Sequence, residues 1–148
     1  MRNKCFIGFI FALFMMILQV NNNALGLGGT CGIDGDNLTW ELNENVLVIT
    51  GNGKMANFST DDVPPWYGRI LEKIIIENGV TSIGTYAFLD CNECQDEKIN
   101  TIELPITLEI ISDMAFFNTQ LPFVVLPDNL VYVSGLSFYR TNHNNSDF

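Results

Sequence analysis

The sequence predicts a mainly β chain, a short solenoid of about three stacked coils behind an N-terminal β-hairpin cap. Two observations carry this reading. Between residues 70 and 141 five apolar columns recur at fixed offsets in three copies, which is the signature of stacked repeat units. Ahead of them a block that does not repeat alternates apolar and polar residues around a short turn, which is the signature of paired strands.

Residues 1–26 read as a signal peptide. Arg2 and Lys4 supply a basic start, and the uncharged run Cys5 to Leu18 follows. At 14 residues this run fits a signal-peptide core of roughly 7–15 residues and falls short of the about 20 that a membrane-spanning helix needs. Small residues at Ala24 and Gly26 place cleavage after Gly26. No second apolar stretch is long enough to span, so no membrane span is expected once the signal is gone.

Residues 27–69 read as the cap. Leu38, Trp40 and Leu42 alternate with polar neighbours, Asn43-Glu44-Asn45 turns the chain, and Val46 to Thr50 run back until Gly51-Asn52-Gly53. Pro64-Pro65 fixes the approach to Trp66 and Tyr67, and a short helix is expected there, since proline is favoured in a first helical turn. A solenoid's first coil exposes an open strand edge unless something covers it. Trp40 and Trp66 are accordingly expected in the cap core rather than on a ligand platform.

Residues 70–141 hold the repeats. With Ile76, Leu104 and Leu126 as anchors, Ile74, Ile102 and Val124 lie two positions earlier, and Val80, Leu108 and Leu130 four positions later. Ile83, Ile111 and Val133 lie seven later, and Phe88, Phe116 and Phe138 twelve later, preceded by Ala87, Ala115 and Ser137. The copies are spaced by 28 and then 22 residues, and the extra six fall in the polar stretch Cys91 to Lys98, as a loop insertion on one face would. Alternation about Ile75 predicts a strand. Pro105 and Pro127 stop it in the later copies, where Asn78-Gly79 turns the first. Val80 to Ile83, Leu108 to Ile111 and Leu130 to Val133 predict a second extended segment. Each phenylalanine then fills the interior of a coil too thin to have a core of its own. Residues 142–148 read as a polar tail, and no second cap is apparent.

These residues resemble the BspA-type leucine-rich repeat of bacterial and protist surface antigens. Two stretches carry the likeness most closely. One is Ile76-Glu77-Asn78-Gly79-Val80-Thr81-Ser82-Ile83-Gly84, with Tyr86-Ala87-Phe88 and Cys91. The other is Gly29-Thr30-Cys31-Gly32, Asn37-Leu38-Thr39-Trp40, Val48 to Met55 and Pro65-Trp66-Tyr67, which is similar to the block that often precedes such repeats. The resemblance implies a leucine-rich-repeat solenoid, an inward Cys91 as a buried thiol, and adhesion to host or neighbouring-cell proteins. The far copies depart from the pattern. Thr119 and Thr141 stand at or near the cysteine position, Ser137 replaces Ala, and no Gly follows Val133.

Charge and composition exclude several functions. The chain has 148 residues, seven basic and 17 acidic, with a formal charge of −10. Removing residues 1–26 takes two basic residues and no acidic one, leaving −12. So few cations argue against nucleic-acid binding, which neutralises phosphates with clustered Lys and Arg. A hydrophobic fraction of 47% with 16% charged residues is too apolar for a disordered chain.

Chemistry is sparse. Cys91-Asn92-Glu93-Cys94 has the spacing of a redox or zinc half-site, but it falls in the inserted acidic loop rather than at a helix start. Zinc would need Cys31, Cys91, Cys94 and His143 to converge, and a local Cys91–Cys94 disulfide or a buried thiol is the simpler expectation. Gly51-Asn52-Gly53-Lys54 lacks both the first glycine and the final Ser or Thr of a phosphate loop. The carboxylate pairs Asp61-Asp62 and Glu41/Glu44 have no apparent cleft, and a Ser-His-Asp arrangement would depend on His143, near the end of the chain. No enzyme, metal or cofactor is expected. Asn37, Asn57 and Asn144 begin Asn-x-Ser/Thr sequons, which matter only in a glycosylating host.

The expected function is that of a secreted or cell-surface binding module whose partners are extracellular or host proteins. The expected contact surface comprises the outward strand positions Lys73, Ile75, Glu77, Thr101, Glu103, Phe123 and Val125, with Pro105 and Pro127 at its margin. Two alternatives accompany it: a structural subunit that self-associates through an open last coil and an unpaired cysteine, and a secreted thiol redox protein using Cys91 and Cys94.

Overall fold

The computed structural model describes residues 26–92 and 99–141. Residues 1–25, which hold nearly all of the expected signal peptide, Cys94 with the rest of 93–98, and the 142–148 tail lie outside the described residues. Among the described residues there are nine strands and no helix.

The cap is built from β1 (Leu27–Gly32), β2 (Gly35–Asn43) and β3 (Val46–Gly51). β1 and β2 are antiparallel, as are β2 and β3, in which Trp40 faces Ile49. The two-residue turn between β2 and β3 places Glu44 and Asn45 at positive φ, 46° and 68°, the conformation that matches the twist of a tight hairpin. The expected short helix after Pro65 is not formed. Residues 65–68 make a turn instead, with Tyr67 N–H on the Pro64 carbonyl (2.9 Å) and Arg69 N–H on that of Trp66 (3.1 Å). Gly68, at φ +71°, leaves helical space before a second turn can start.

From β3 onward the chain winds. β4 (Gly53–Lys54) follows β3, and each later coil repeats the pair: β5 (Lys73–Ile76) with β6 (Val80–Ile83), then β7 (Thr101–Glu103) with β8 (Ile110–Ile111), then β9 (Tyr132–Val133). The strands assemble into two sheets, ordered β1-β2-β3-β5-β7 and β4-β6-β8-β9. All pairings from β3 onward are parallel, with Leu47 opposite Ile74 opposite Ile102 in one sheet and Ser82 opposite Ile110 opposite Tyr132 in the other. The cap therefore supplies the first coil itself: Leu47 and Ile49 extend the inward column of Ile74 and Ile76. The turn between the two strands of a coil is tight. Gly79 sits at φ +110°, and a Cβ there would stand 2.3 Å from the Gly51 carbonyl oxygen of the coil before.

The inner columns stack. The rings of Phe88 and Phe116 lie 5.0 Å apart and those of Phe116 and Phe138 5.1 Å apart, each pair within 6° of parallel. Trp66 begins this column. Its ring lies 5.8 Å from Phe88, meets Trp40 and Phe58 edge-on, and donates its indole N–H to the Ala87 carbonyl at 2.8 Å. Backbone bonds lock the same level: Phe88 N–H donates to Ala115 and Phe116 N–H to Ser137. The far-end departures keep their polar atoms satisfied, as burial requires. The Thr119 hydroxyl donates to the Phe88 carbonyl, that of Thr141 to Phe138 (2.9 Å) and that of Ser137 to Ser134 (2.7 Å).

The third copy departs from expectation. Residues 121–127 form no strand, and the second segment shortens to Tyr132–Val133. One atom accounts for the first loss. The two parallel strands β5 and β7 are each preceded by an N–H donated to the coil before, Glu72 to Asn45 and Asn100 to Glu72, both at 2.8 Å. The position that follows in the same register is Pro122, which has no N–H to donate. Burial falls accordingly along the stack. Ile83 and Ile111 are fully buried where Val133 is 38% exposed, and Ile76 is 2% exposed where Leu126 is 42%.

Candidate binding surface

The outer face of the five-stranded sheet follows from the pleat, since alternate side chains point away from the core. The register places Glu41, Val48, Ile75 and Glu103 in one row across four strands, with Asn43, Val46, Lys73 and Thr101 in the next. Val48 and Ile75 are half-buried and Glu41 and Glu103 exposed, so the row is an apolar centre between two carboxylates. Lys73 is bound to Glu103 by a 2.6 Å ion pair between partly exposed groups, which contributes little stability but fixes the orientation of both side chains. Thr39 and Thr50 share a hydroxyl hydrogen bond of 3.1 Å at the edge of the face.

The structure thus brings Lys73, Ile75, Thr101 and Glu103 together on one face, with Glu77 exposed just past the end of β5. Phe123 and Val125 lie in the third copy's irregular segment, 90% and 74% exposed, and belong to no strand. The cap residues Glu41, Val46 and Val48 complete the face. The alternation of Val46, Val48 and Thr50 with Leu47 and Ile49 carried that information, but only the parallel pairing of β3 with β5 makes it one surface.

The two described thiols lie in surroundings that hold them protonated. Cys31 and Cys91 are free and buried. Desolvation raises the Cys31 pKa from about 9 to about 12. Burial, and secondarily the negative charge of Asp90, raises that of Cys91 further. A reactive cysteine needs the opposite environment. Cys94 lies outside the described residues. Among the described residues no group of three or more His, Cys, Asp or Glu converges as a metal site, and no helix is long and apolar enough to cross a membrane.

The sequons differ in accessibility. The Asn37 amide donates to the carbonyls of Asn52 (3.1 Å) and Lys54 (3.2 Å) and accepts from Asp34 N–H (3.0 Å), tying the hairpin to β4. Asn57 is exposed and accepts from Thr85 N–H at 2.9 Å. Asn144 lies outside the described residues.

Residues 92–148 match the family described as the BspA type leucine rich repeat region (6 copies). That stretch of the chain is similar to BspA-type leucine-rich repeats. A solved structure, that of a leucine-rich repeat protein from Eubacterium ventriosum, is similar at a TM-score of 0.51 and 27% identity. The likeness covers 66% of this chain and 26% of that one, so the repeat chain corresponds to about a quarter of that protein's length. No curated protein matches the chain.

Proposed function

We propose that this repeat protein is a secreted or cell-surface adhesion module, without enzymatic activity, that binds extracellular or host proteins through the outer face of its first sheet. One observation carries the reading. The register lines up Glu41, Val48, Ile75 and Glu103 across four hydrogen-bonded strands, so an apolar strip with a charged rim is held on a rigid backbone. Protein interfaces have this composition, an apolar centre within a polar border, and stacked repeats commonly serve as extended binding surfaces. The raised thiol pKa values of Cys31 and Cys91 speak against thiol catalysis at these two residues.

The test is adhesion of the purified chain to immobilised extracellular matrix proteins and to cell surfaces. Ile75→Asp alters the centre of the strip, and Glu41→Lys with Glu103→Lys reverses its rim. Folded variants are expected to lose binding at least tenfold. Binding that is unchanged in both folded variants removes this face from the proposal.

A further inference from the structure

The outer face of the first sheet carries charge at a definite spacing. Glu41 and Glu103 close the row at either end, with Val48 and Ile75 between them. Adjacent strands lie about 4.8 Å apart, so the two carboxylate positions stand roughly 14 Å apart, three strand spacings, across an apolar middle. Glu77 adds a third exposed carboxylate beside the row. Among the described residues of this face Lys73 is the one cation, and its ammonium is held by Glu103 at 2.6 Å. That ion pair shows what the rim accepts, a primary ammonium. It runs through Oε1 of Glu103, and a carboxylate accepts on both of its oxygens, so Glu103 can receive a second cation. The whole chain has a formal charge of −10, so its long-range field has the sign of the rim and steers cations toward it.

We propose that the partner of this face is an extended, basic protein segment lying across the strands, with its side chains in the order basic-x-apolar-x-basic. The proposal rests on the outer face being the binding surface and adds the chemistry of what it binds. The spacing selects the conformation. In an extended chain residues i, i+2 and i+4 share one side, and four residues at about 3.3 Å each span about 13 Å. That length matches the row and sets the apolar residue over Val48 and Ile75. On a helix, residues i and i+7 share a side at about 10.5 Å, and i and i+11 at about 16.5 Å, so neither fits the row as closely. The charge selects the sign. Basic groups on the partner complement the carboxylates of Glu41 and Glu103, whereas like charges facing each other are penalised. That penalty sets aside nucleic acids, anionic polysaccharides and anionic lipid surfaces as occupants of this face.

The test measures binding of three labelled peptides to the purified chain by fluorescence anisotropy. One contains Lys-Thr-Leu-Thr-Lys, one the same residues reordered as Lys-Lys-Leu-Thr-Thr, and one Glu-Thr-Leu-Thr-Glu, each in the same Gly/Ser frame. At low ionic strength the first is expected to bind at least tenfold more tightly than the third and severalfold more tightly than the second. Raising the salt to about 1 M, where the Debye length is about 3 Å, should remove most of the difference between the first and the third. Glu41→Lys with Glu103→Lys should invert the preference, so that the acidic peptide binds best, an outcome that a merely structural role for these residues does not produce. Equal binding of the basic and acidic peptides, equal binding of the ordered and reordered ones, or no inversion in the folded double variant would overturn the proposal. Ile75→Asp in the adhesion assay distinguishes the two levels of failure. Adhesion lost in that variant, with no preference for the basic peptide by the unaltered chain, leaves the face as the binding surface and refutes only the basic partner. Adhesion unchanged in that variant and in the folded double variant refutes the face itself.

Discussion

Replacing Phe116 with Ala tests whether the aromatic column holds the coils together. Phe116 is fully buried and sandwiched between parallel rings at 5.0 and 5.1 Å. Truncating a buried Phe to Ala costs about 3–5 kcal/mol, and losing two ring contacts places this site at the upper end, since each contributes about 0.5–1.5 kcal/mol beyond area burial. Phe138 is the comparison within the same column. It is half-buried and stacks on one ring among the described residues, so its truncation should cost about 2 kcal/mol on the same scale. The assay is urea unfolding followed by far-ultraviolet circular dichroism and by tryptophan fluorescence, the second probe reporting on the cap through Trp66. For a domain of this size a loss of about 4 kcal/mol lowers Tm by more than about 15 °C. Equal costs at Phe116 and Phe138, or a cost at Phe116 below about 2 kcal/mol, would show that the column is not a principal source of stability.

Three further outcomes follow from single observations. Thr119→Val removes the buried hydroxyl that donates to the Phe88 carbonyl and should cost about 1–2 kcal/mol in the same urea titration. Cys31, with its pKa raised to about 12, should make the chain lose stability as pH rises. An unfolded thiol releases its proton near pH 9 while the folded one keeps it, so the contribution is complete below pH 9 and falls by about 1.4 kcal/mol per pH unit from there toward 12; Cys91, raised further by burial, adds a like slope, so Cys31→Ala should remove about half of the total in unfolding measured from pH 7 to 11. Pro122→Asn restores the missing donor, but the hydrogen bond gained, about 0.5–1.5 kcal/mol, is offset by about 0.4–1 kcal/mol of added chain entropy. Tm should therefore shift little, while amide exchange at residues 123–125 slows severalfold as the strand forms.

The columns were legible in the sequence because each is a side-chain property repeated at a fixed offset. Ile74 and Ile76, Ile83 and Ile111, and the three phenylalanines all take inward positions. The hairpin was legible for the same reason, as alternation around Asn43-Glu44-Asn45. What was not legible depends on backbone partners brought from elsewhere. β1 is glycine-rich, which lowers strand propensity, yet its glycines fit because a Cβ on Gly29 would come within 3.1 Å of the Trp40 indole nitrogen. That closeness exists only once β1 has paired with β2. The third copy repeats the apolar pattern of a strand between Pro122 and Pro127, so periodicity placed one there. The deciding fact was which backbone atom starts each rung, and only the bonds Glu72 to Asn45 and Asn100 to Glu72 identify position 122 as the donor. The candidate face was half legible. Lys73, Ile75 and Glu103 follow from alternation, but Glu41 and Val48 join them only through the register of the cap against the first repeat.

That register bears on how such a surface can change without loss of the fold. The inward columns take nearly all the burial, with Leu47, Ile49, Ile74, Ile83 and Ile111 fully enclosed, and the polar replacements Thr119 and Ser137 persist inside because a neighbouring carbonyl receives each hydroxyl. The outward row obeys no such constraint. Its Glu41, Val48, Ile75 and Glu103 differ in charge and size while occupying equivalent positions on four strands, and substitutions at the exposed Glu41 and Glu103 should change stability by less than about 0.5 kcal/mol. The inner face therefore fixes where the strands lie, and the outer face is free to vary in what it presents. Since the cap strand β3 is itself a rung of this ladder, the cap places side chains on this face as well as closing the edge, and under the proposed function a change at Val48 should alter recognition as directly as one at Ile75.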